Sequence, residues 1–161
     1  MTYSFLPMDL EGARAKFTWR YEAPYSLYNI IVSADKIETE LAYFADPQNR
    51  YYRILDRQGT LIGHCCFGAE GKVPGGDYSL DALDLGIGIR PDLTGQGQGH
   101  QLIAAMLDFA RETFQPGHFR ATIAAFNQRS QRAFIKAGFA QTGDFTRPRD
   151  GRVFLIFTRK A

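Results

Sequence analysis

The stretch from Asp81 to Arg111 constrains the fold more than any other part of the chain. Leu83 to Ile89 is an apolar run with β-branched residues, which suits a buried strand. Pro91 to Gly99 is a turn rich in glycine. From His100 the apolar residues Leu102, Ile103, Met106, Leu107 and Ala110 recur on one face of a helix. A strand, a glycine turn and a helix in that order leave the first N–H groups of the helix facing outward, where its dipole favours an anion. Gly95, Gly97 and Gly99 put no Cβ in the way of a phosphate, so the turn reads as a pyrophosphate cradle. A tight structural connection would carry the same glycines, and the turn alone leaves both readings open.

Two nucleotide-binding patterns fit poorly. A P-loop needs Lys-Ser/Thr after its last glycine, where His100-Gln101 stands. A dinucleotide fingerprint lies after a first strand, with an acid ending the second. Here the turn lies past mid-chain, and the next strand, around Arg120 to Ala125, ends without an acid.

The hexapeptide Thr94-Gly95-Gln96-Gly97-Gln98-Gly99 resembles the acetyl-CoA loop of the GCN5-related N-acetyltransferases, Arg/Gln-x-x-Gly-x-Gly/Ala, at all but its first position. A second pattern of that family follows: a strand ending in Asn127, a helix from Ser130 to Ala137, then Gly138-Phe139. The resemblance covers residues 50 to 160 well and the first fifty in outline. It implies an α/β (α+β) fold, a central mixed, mostly antiparallel sheet flanked by helices. It also implies acetyl-CoA as acyl donor, with direct attack by a primary amine in a ternary complex. The acceptor class stays open between a small molecule and a protein N-terminus or lysine.

Length and composition agree with one N-acetyltransferase domain over residues 1–161. A chain of 161 residues that is 45% hydrophobic can bury an adequate core. Nineteen basic and seventeen acidic side chains leave a net charge of +2, too small to argue for nucleic acid or an anionic membrane. There is no apolar run of membrane-spanning length and no signal-peptide pattern at the start, so a cytoplasmic location is expected. Cys65 and Cys66 are adjacent and imply no disulfide scaffold, and His64, His100 and His118 fall in different elements, so no metal is expected. A homodimer is compatible with these features.

Along the chain, Tyr3 to Pro7 reads as a first strand and Asp9 to Trp19 as a helix. Ser33 is placed to cap a second helix through Tyr43, which Asp46-Pro47 stops. Tyr51 to Leu55 and Thr60 to Phe67 form a hairpin about Asp56-Arg57-Gln58-Gly59. The last strands, Phe139 to Gly143 and Val153 to Arg159, flank a polar turn at Arg147 to Gly151. The aromatic residues Trp19, Tyr21, Tyr25 and Tyr28 read either as core and rim or as walls of an acceptor pocket, with Glu22 available to a substrate ammonium.

By the resemblance, the strand Leu85 to Ile89 parts from the strand ending at Asn127 and a pantetheine arm lies between them. The backbone of Ile87, Gly88 and Ile89 would pair with its amides, and a free N–H there would stabilise an oxyanion. Gly86 and Gly88 fit on physical grounds, since glycine within a strand often marks a bulge or a close backbone approach by a ligand. Thr94, Gly95, Gln96, Gly97, Gln98 and Gly99 would cradle the diphosphate, and Asn127, Ser130 and Phe134 would lie along the arm. An alkylammonium must lose a proton before it attacks. Asp81 sits where several relatives carry a glutamate. Asp84 shares a strand face with Gly86 and Gly88 and is slightly preferred as the base, while His64 is a further candidate on the neighbouring strand. The sequence departs from the family pattern at two positions. Thr94 lacks the usual long donor, and Phe134 replaces the tyrosine that protonates the leaving thiolate, with no tyrosine after Tyr78. The second departure motivates an alternative of another class, a non-catalytic acyl-CoA sensor.

Overall fold

A computed structural model describes residues 2–161. Its elements run β1 Ser4–Pro7, α1 Leu10–Phe17, α2 Ile37–Ala45, β2 Tyr51–Leu55, β3 Leu61–Phe67, β4 Leu83–Ile89, α3 Gly99–Phe114, β5 His118–Ala124, α4 Gln128–Lys136, β6 Ala140–Thr146 and β7 Val153–Lys160. The strands form one seven-stranded sheet in the order β1-β2-β3-β4-β5-β7-β6. Every neighbouring pair is antiparallel except β4 and β5, which run parallel. The expected mixed, mostly antiparallel sheet with helices on its faces is what the chain forms.

Local chemistry sets the element ends. Asp9 caps α1, its Oδ1 accepting from the Gly12 N–H at 2.8 Å. The helix stops at Phe17, sooner than its apolar spacing suggests, where the Thr18 hydroxyl donates to the Ala15 carbonyl. Ser33 does not cap α2: residues 33–36 close a turn through Lys36 N–H to the Ser33 carbonyl at 3.0 Å, and α2 begins at Ile37 with no side-chain cap. The β2–β3 turn needs Gly59, which holds φ at +80°.

The two faces of the sheet are unequal. One packs α3 and α4 over Leu85, Phe119, Ile123 and Phe157, with Met106, Leu107 and Phe134 fully enclosed. The other carries α1 and α2 over a smaller cluster of Met8, Ala13, Phe17 and Leu41. Strand alternation therefore sends Leu85, Ile87 and Ile89 toward α3 and α4, and Asp84, Gly86 and Gly88 toward α1 and α2. Among the described residues, no helix is long and apolar enough to cross a membrane.

Candidate active site

The sheet opens at its one parallel junction. β4 and β5 are paired only at Leu83↔Phe119, Asp84↔Arg120 and Leu85↔Ala121. Beyond that point β4 follows β3 as far as Ile89↔Gly63, while β5 follows β7 as far as Ala124↔Phe154. The remaining halves of the two strands face each other across a gap, which is part of a cavity of about 1010 Å³. Ile87, Gly88 and Ile89 line it from one side, and Thr122 and Ala124 from the other.

The glycine turn stands at the same cavity. Gly95 and Gly97 hold φ at +78° and +77°, a region that side chains with a Cβ rarely adopt, and the space beside Gly97 is open. Gly99 is glycine for a different reason: a Cβ there would lie 3.3 Å from that of Ala133, so it lets α3 pack closely on α4. No side chain caps α3 and no acid stands in its first turn, so its opening N–H groups and dipole are uncompensated. Thr94, Gln96 and Gln98 complete the lining of the turn.

A cation sits beside Thr94 although the turn itself carries none. Arg129, in the first turn of α4, brings Nη1 to 3.5 Å from the Thr94 hydroxyl and 3.9 Å from the space a Gly95 Cβ would take. Its guanidinium is stacked over the Tyr25 ring, 3.7 Å from the centroid, which holds it in place. Arg147, Arg149 and Arg152, from the polar turn before β7, line the same cavity. A turn of free amides with a guanidinium over it fits a diphosphate.

Asn127 caps α4 through its Oδ1, which accepts the Ser130 N–H at 3.1 Å, while its Nδ2 donates to the Tyr28 hydroxyl at 3.2 Å. Ser130 and Phe134 line the cavity, with Phe134 edge-on to Phe139 and 2% exposed. The Tyr21 hydroxyl donates to the Ile89 carbonyl at 2.8 Å, fixing residues 19–28 against β4. Tyr21, Tyr25 and Tyr28 all line the cavity, whereas Glu22 does not.

The two preferred bases stand elsewhere. Asp84 is 1% exposed, and both of its oxygens accept from Arg120, at 2.7 and 2.8 Å. Arg120 is in turn bonded to the Leu80 carbonyl and covered by the Tyr78 ring. This corrects the preference for Asp84: its face of β4 is right, but the place is filled by a partner from β5. Asp81 is exposed and does not line the cavity.

The space over Gly86 and Gly88, which the sequence reads as a bulge or a ligand's approach, is filled by the protein itself. Gly88 lies opposite His64, and a Cβ on it would fall 2.3 Å from the imidazole Nε2. Gly86 lies opposite Cys66, and a Cβ on it would fall 3.0 Å from Sγ. The glycines make room for side chains of β3. His64 and Cys66 thereby reach the cavity wall from the α1 side. Burial, and then the Lys16 charge, push the His64 pKa well below the ordinary imidazole range, so the ring is neutral at pH 7. Burial, and then Glu70, raise the Cys66 thiol to about 12, which leaves it protonated and unsuited to carry an acetyl group.

Comparison with known proteins agrees with this geometry. The family model described as acetyltransferase (GNAT) domain matches residues 5–140. No curated protein shows significant similarity to the chain. Among solved structures, a chimera of the spermidine N-acetyltransferase SpeG from Vibrio cholerae with hSSAT superposes with a TM-score of 0.77 at 16% identity, over 99% of this chain and 96% of that one. The aminoglycoside acetyltransferase AAC(6')-Ib, in complex with coenzyme A, gives 0.78 at 15% identity, over 99% and 95%. An acetyltransferase of the GNAT family from Bacillus anthracis gives 0.74 at 13% identity, over 99% and 95%.

Proposed function

The chain belongs to the GNAT family of acetyltransferases, and we propose that it moves the acetyl group of acetyl-CoA to a primary amine by direct attack within a ternary complex. The observation that carries this reading is the parting of β4 and β5 after Leu85↔Ala121, with the uncapped start of α3 at the same cavity. When bound there, acetyl-CoA would supply an acyl group already activated as a thioester.

The residues of the chain divide the remaining work. The amides of Gly95, Gln96, Gly97, Gln98 and Gly99 and the guanidinium of Arg129 hold the diphosphate, with Thr94 bonded beside them. The backbone of Ile87 and the Ile89 N–H, which face the gap, orient the pantetheine arm, with Gly88 between them held in the ladder with β3, and Asn127, Ser130 and Phe134 border it. His64, neutral and lying over Gly88, takes the amine proton through water in place of Asp84 or Asp81. The Tyr28 hydroxyl accepts a hydrogen bond from Asn127 and keeps its own proton, which burial holds above the usual phenol range. In this reading it gives that proton to the leaving thiolate, the task for which Phe134 has no hydroxyl.

The second reading, a non-catalytic acyl-CoA sensor, is favoured by Phe134 alone. Purified protein with acetyl-CoA and a panel of amines separates the two. Amine-dependent release of free CoA above background hydrolysis is expected. Binding of CoA without release for any amine would leave the sensor.

A further inference from the structure

Where α1 crosses the cavity, one charge stands without a counter-ion. Lys16, in the last turn of α1, holds Nζ 3.9 Å from the centroid of the Phe44 ring and 5.7 Å from that of Tyr51, and it makes no ion pair among the described residues. It lines the cavity beside Trp19, His64 and Cys66, on the side away from the glycine turn. Burial lowers its pKa to about 8, so the ammonium is still mostly charged at pH 7 but poorly solvated.

Every other titratable group on this wall has been neutralised or occupied. His64 is neutral and the Cys66 thiol stays protonated. Glu70 is the one carboxylate here, and its two oxygens accept the hydroxyls of Tyr43 and Tyr51. The other cavity carboxylate, Asp150, is paired with Arg147 and Arg152 at the far end. A polycationic acceptor would therefore meet a cation, and the one carboxylate on this wall already accepts two phenol hydroxyls. An acceptor bearing a negative group beside its amine would give Lys16 the partner that the protein withholds. The rings of Phe44 and Tyr51 lie against the ammonium and replace part of its water shell.

We propose that the acceptor is an amine that carries a carboxylate or phosphate, and that Lys16 selects it by pairing with that anion. This rests on the N-acetyltransferase reading and names the substrate class of that site. The same charge disfavours a proton on the incoming amine, which has to be neutral to attack.

Matched acceptors test the proposal: β-alanine against propylamine, alanine against isopropylamine, and glucosamine phosphate against glucosamine, with putrescine and spermidine as dication and polycation. The anionic member of at least one pair should show a kcat/KM about tenfold or more above its neutral partner, the size expected of one charge-assisted contact shielded from water. Lys16→Met should bring that ratio toward one, and Lys16→Arg should retain most of it. Calorimetry of the preferred anionic acceptor with CoA present gives a readout apart from turnover, in which Lys16→Met should weaken binding by a similar factor. Preference of the wild-type enzyme for neutral or polycationic amines would overturn the proposal and leave the acetyltransferase reading standing. So would a ratio that survives in Lys16→Met. Absence of CoA release with every amine would sink both. The wild-type ratios decide the matter even if Lys16→Met does not fold.

Discussion

Arg120 grips Asp84 with two parallel hydrogen bonds, Nε to Oδ1 at 2.7 Å and Nη2 to Oδ2 at 2.8 Å, across the middle of the three pairings that join β4 to β5. Both side chains are about 2% exposed. The pair sits one residue before the strands part and clamps the closed end of the gap. Removing one partner would strand a buried charge. Asp84→Asn should therefore destabilise the fold by roughly 3–5 kcal/mol, read as a drop in thermal midpoint. A normal midpoint with a selective loss of rate, rescued at high pH, would return Asp84 to the role of base.

Gly88 and His64 make a second cross-strand dependence. A Cβ at residue 88 would fall 2.3 Å from the imidazole Nε2, so one of the two must move. Gly88→Ala should cost roughly 1–3 kcal/mol through this overpacking. His64→Ala in the same chain should recover most of the lost stability, because the clash goes with the ring. Lack of recovery in the denaturation midpoint would show that residue 88 needs glycine for another reason.

Residues within one element or one turn could be read from the sequence, and residues that depend on distant partners could not. Leu83–Ile89 is identifiable as a strand because its apolar run and following glycines are local signals, and α4 is identifiable because Asn127 and Gly138-Phe139 match the family pattern on either side of it. Asp84 looked free because its partner is 36 positions away and reaches it only through the parallel pairing. The vacancy over Gly86 and Gly88 looked open because nothing local says that β3 places His64 and Cys66 across from them. On sequence Arg129 is one basic residue in a polar helix, and only the approach of α4 to the turn sets it beside Thr94. Ser33 misled because a serine before a helix serves as well in a turn as in a cap. Lys16 gave no signal beyond its helical position, and Phe44 and Tyr51 reach it from other elements.

The cradle makes two demands that differ in kind. Gly97→Asp would force a side chain to φ +77° and place a carboxylate where a phosphate should lie, so CoA binding should disappear in calorimetry. Arg129→Ala removes one guanidinium and leaves the amides. It should raise the KM for acetyl-CoA by on the order of tenfold and reduce the salt dependence of binding. Undiminished CoA affinity in Gly97→Asp would argue against a diphosphate at this turn.

His64 ties stability to pH. Its pKa in the folded chain is well below the ordinary value near 6.5. Between those two values the unfolded chain binds a proton that the folded chain refuses. The contribution of His64 is therefore complete above about pH 6.5 and is lost as the pH falls below it. The thermal midpoint should decline from pH 7 toward pH 5, and His64→Gln should flatten that part of the curve. A wild-type curve that is level or rises on acidification would contradict a buried neutral imidazole.

The remaining question of chemistry is where the thiolate finds its proton, since Phe134 is buried and has no hydroxyl to give. The Tyr28 hydroxyl already meets Asn127, which caps the helix carrying Phe134, and so a phenol stands near the start of α4 although it comes from 99 positions away. Burial holds its proton above the usual phenol range, so the group stays an acid throughout the neutral region. Tyr28→Phe should lower kcat by on the order of 10²-fold, the usual scale of a positioned general acid, with little change in the affinity for CoA. An acetyl donor with a more acidic thiol leaves without help, and the deficit should shrink with it. Phe134→Tyr introduced into Tyr28→Phe should restore part of the rate, since it supplies a hydroxyl on another residue that lines the same cavity. If Tyr28→Phe loses equal activity with both donors, the phenol is only packing, and water must protonate the thiolate.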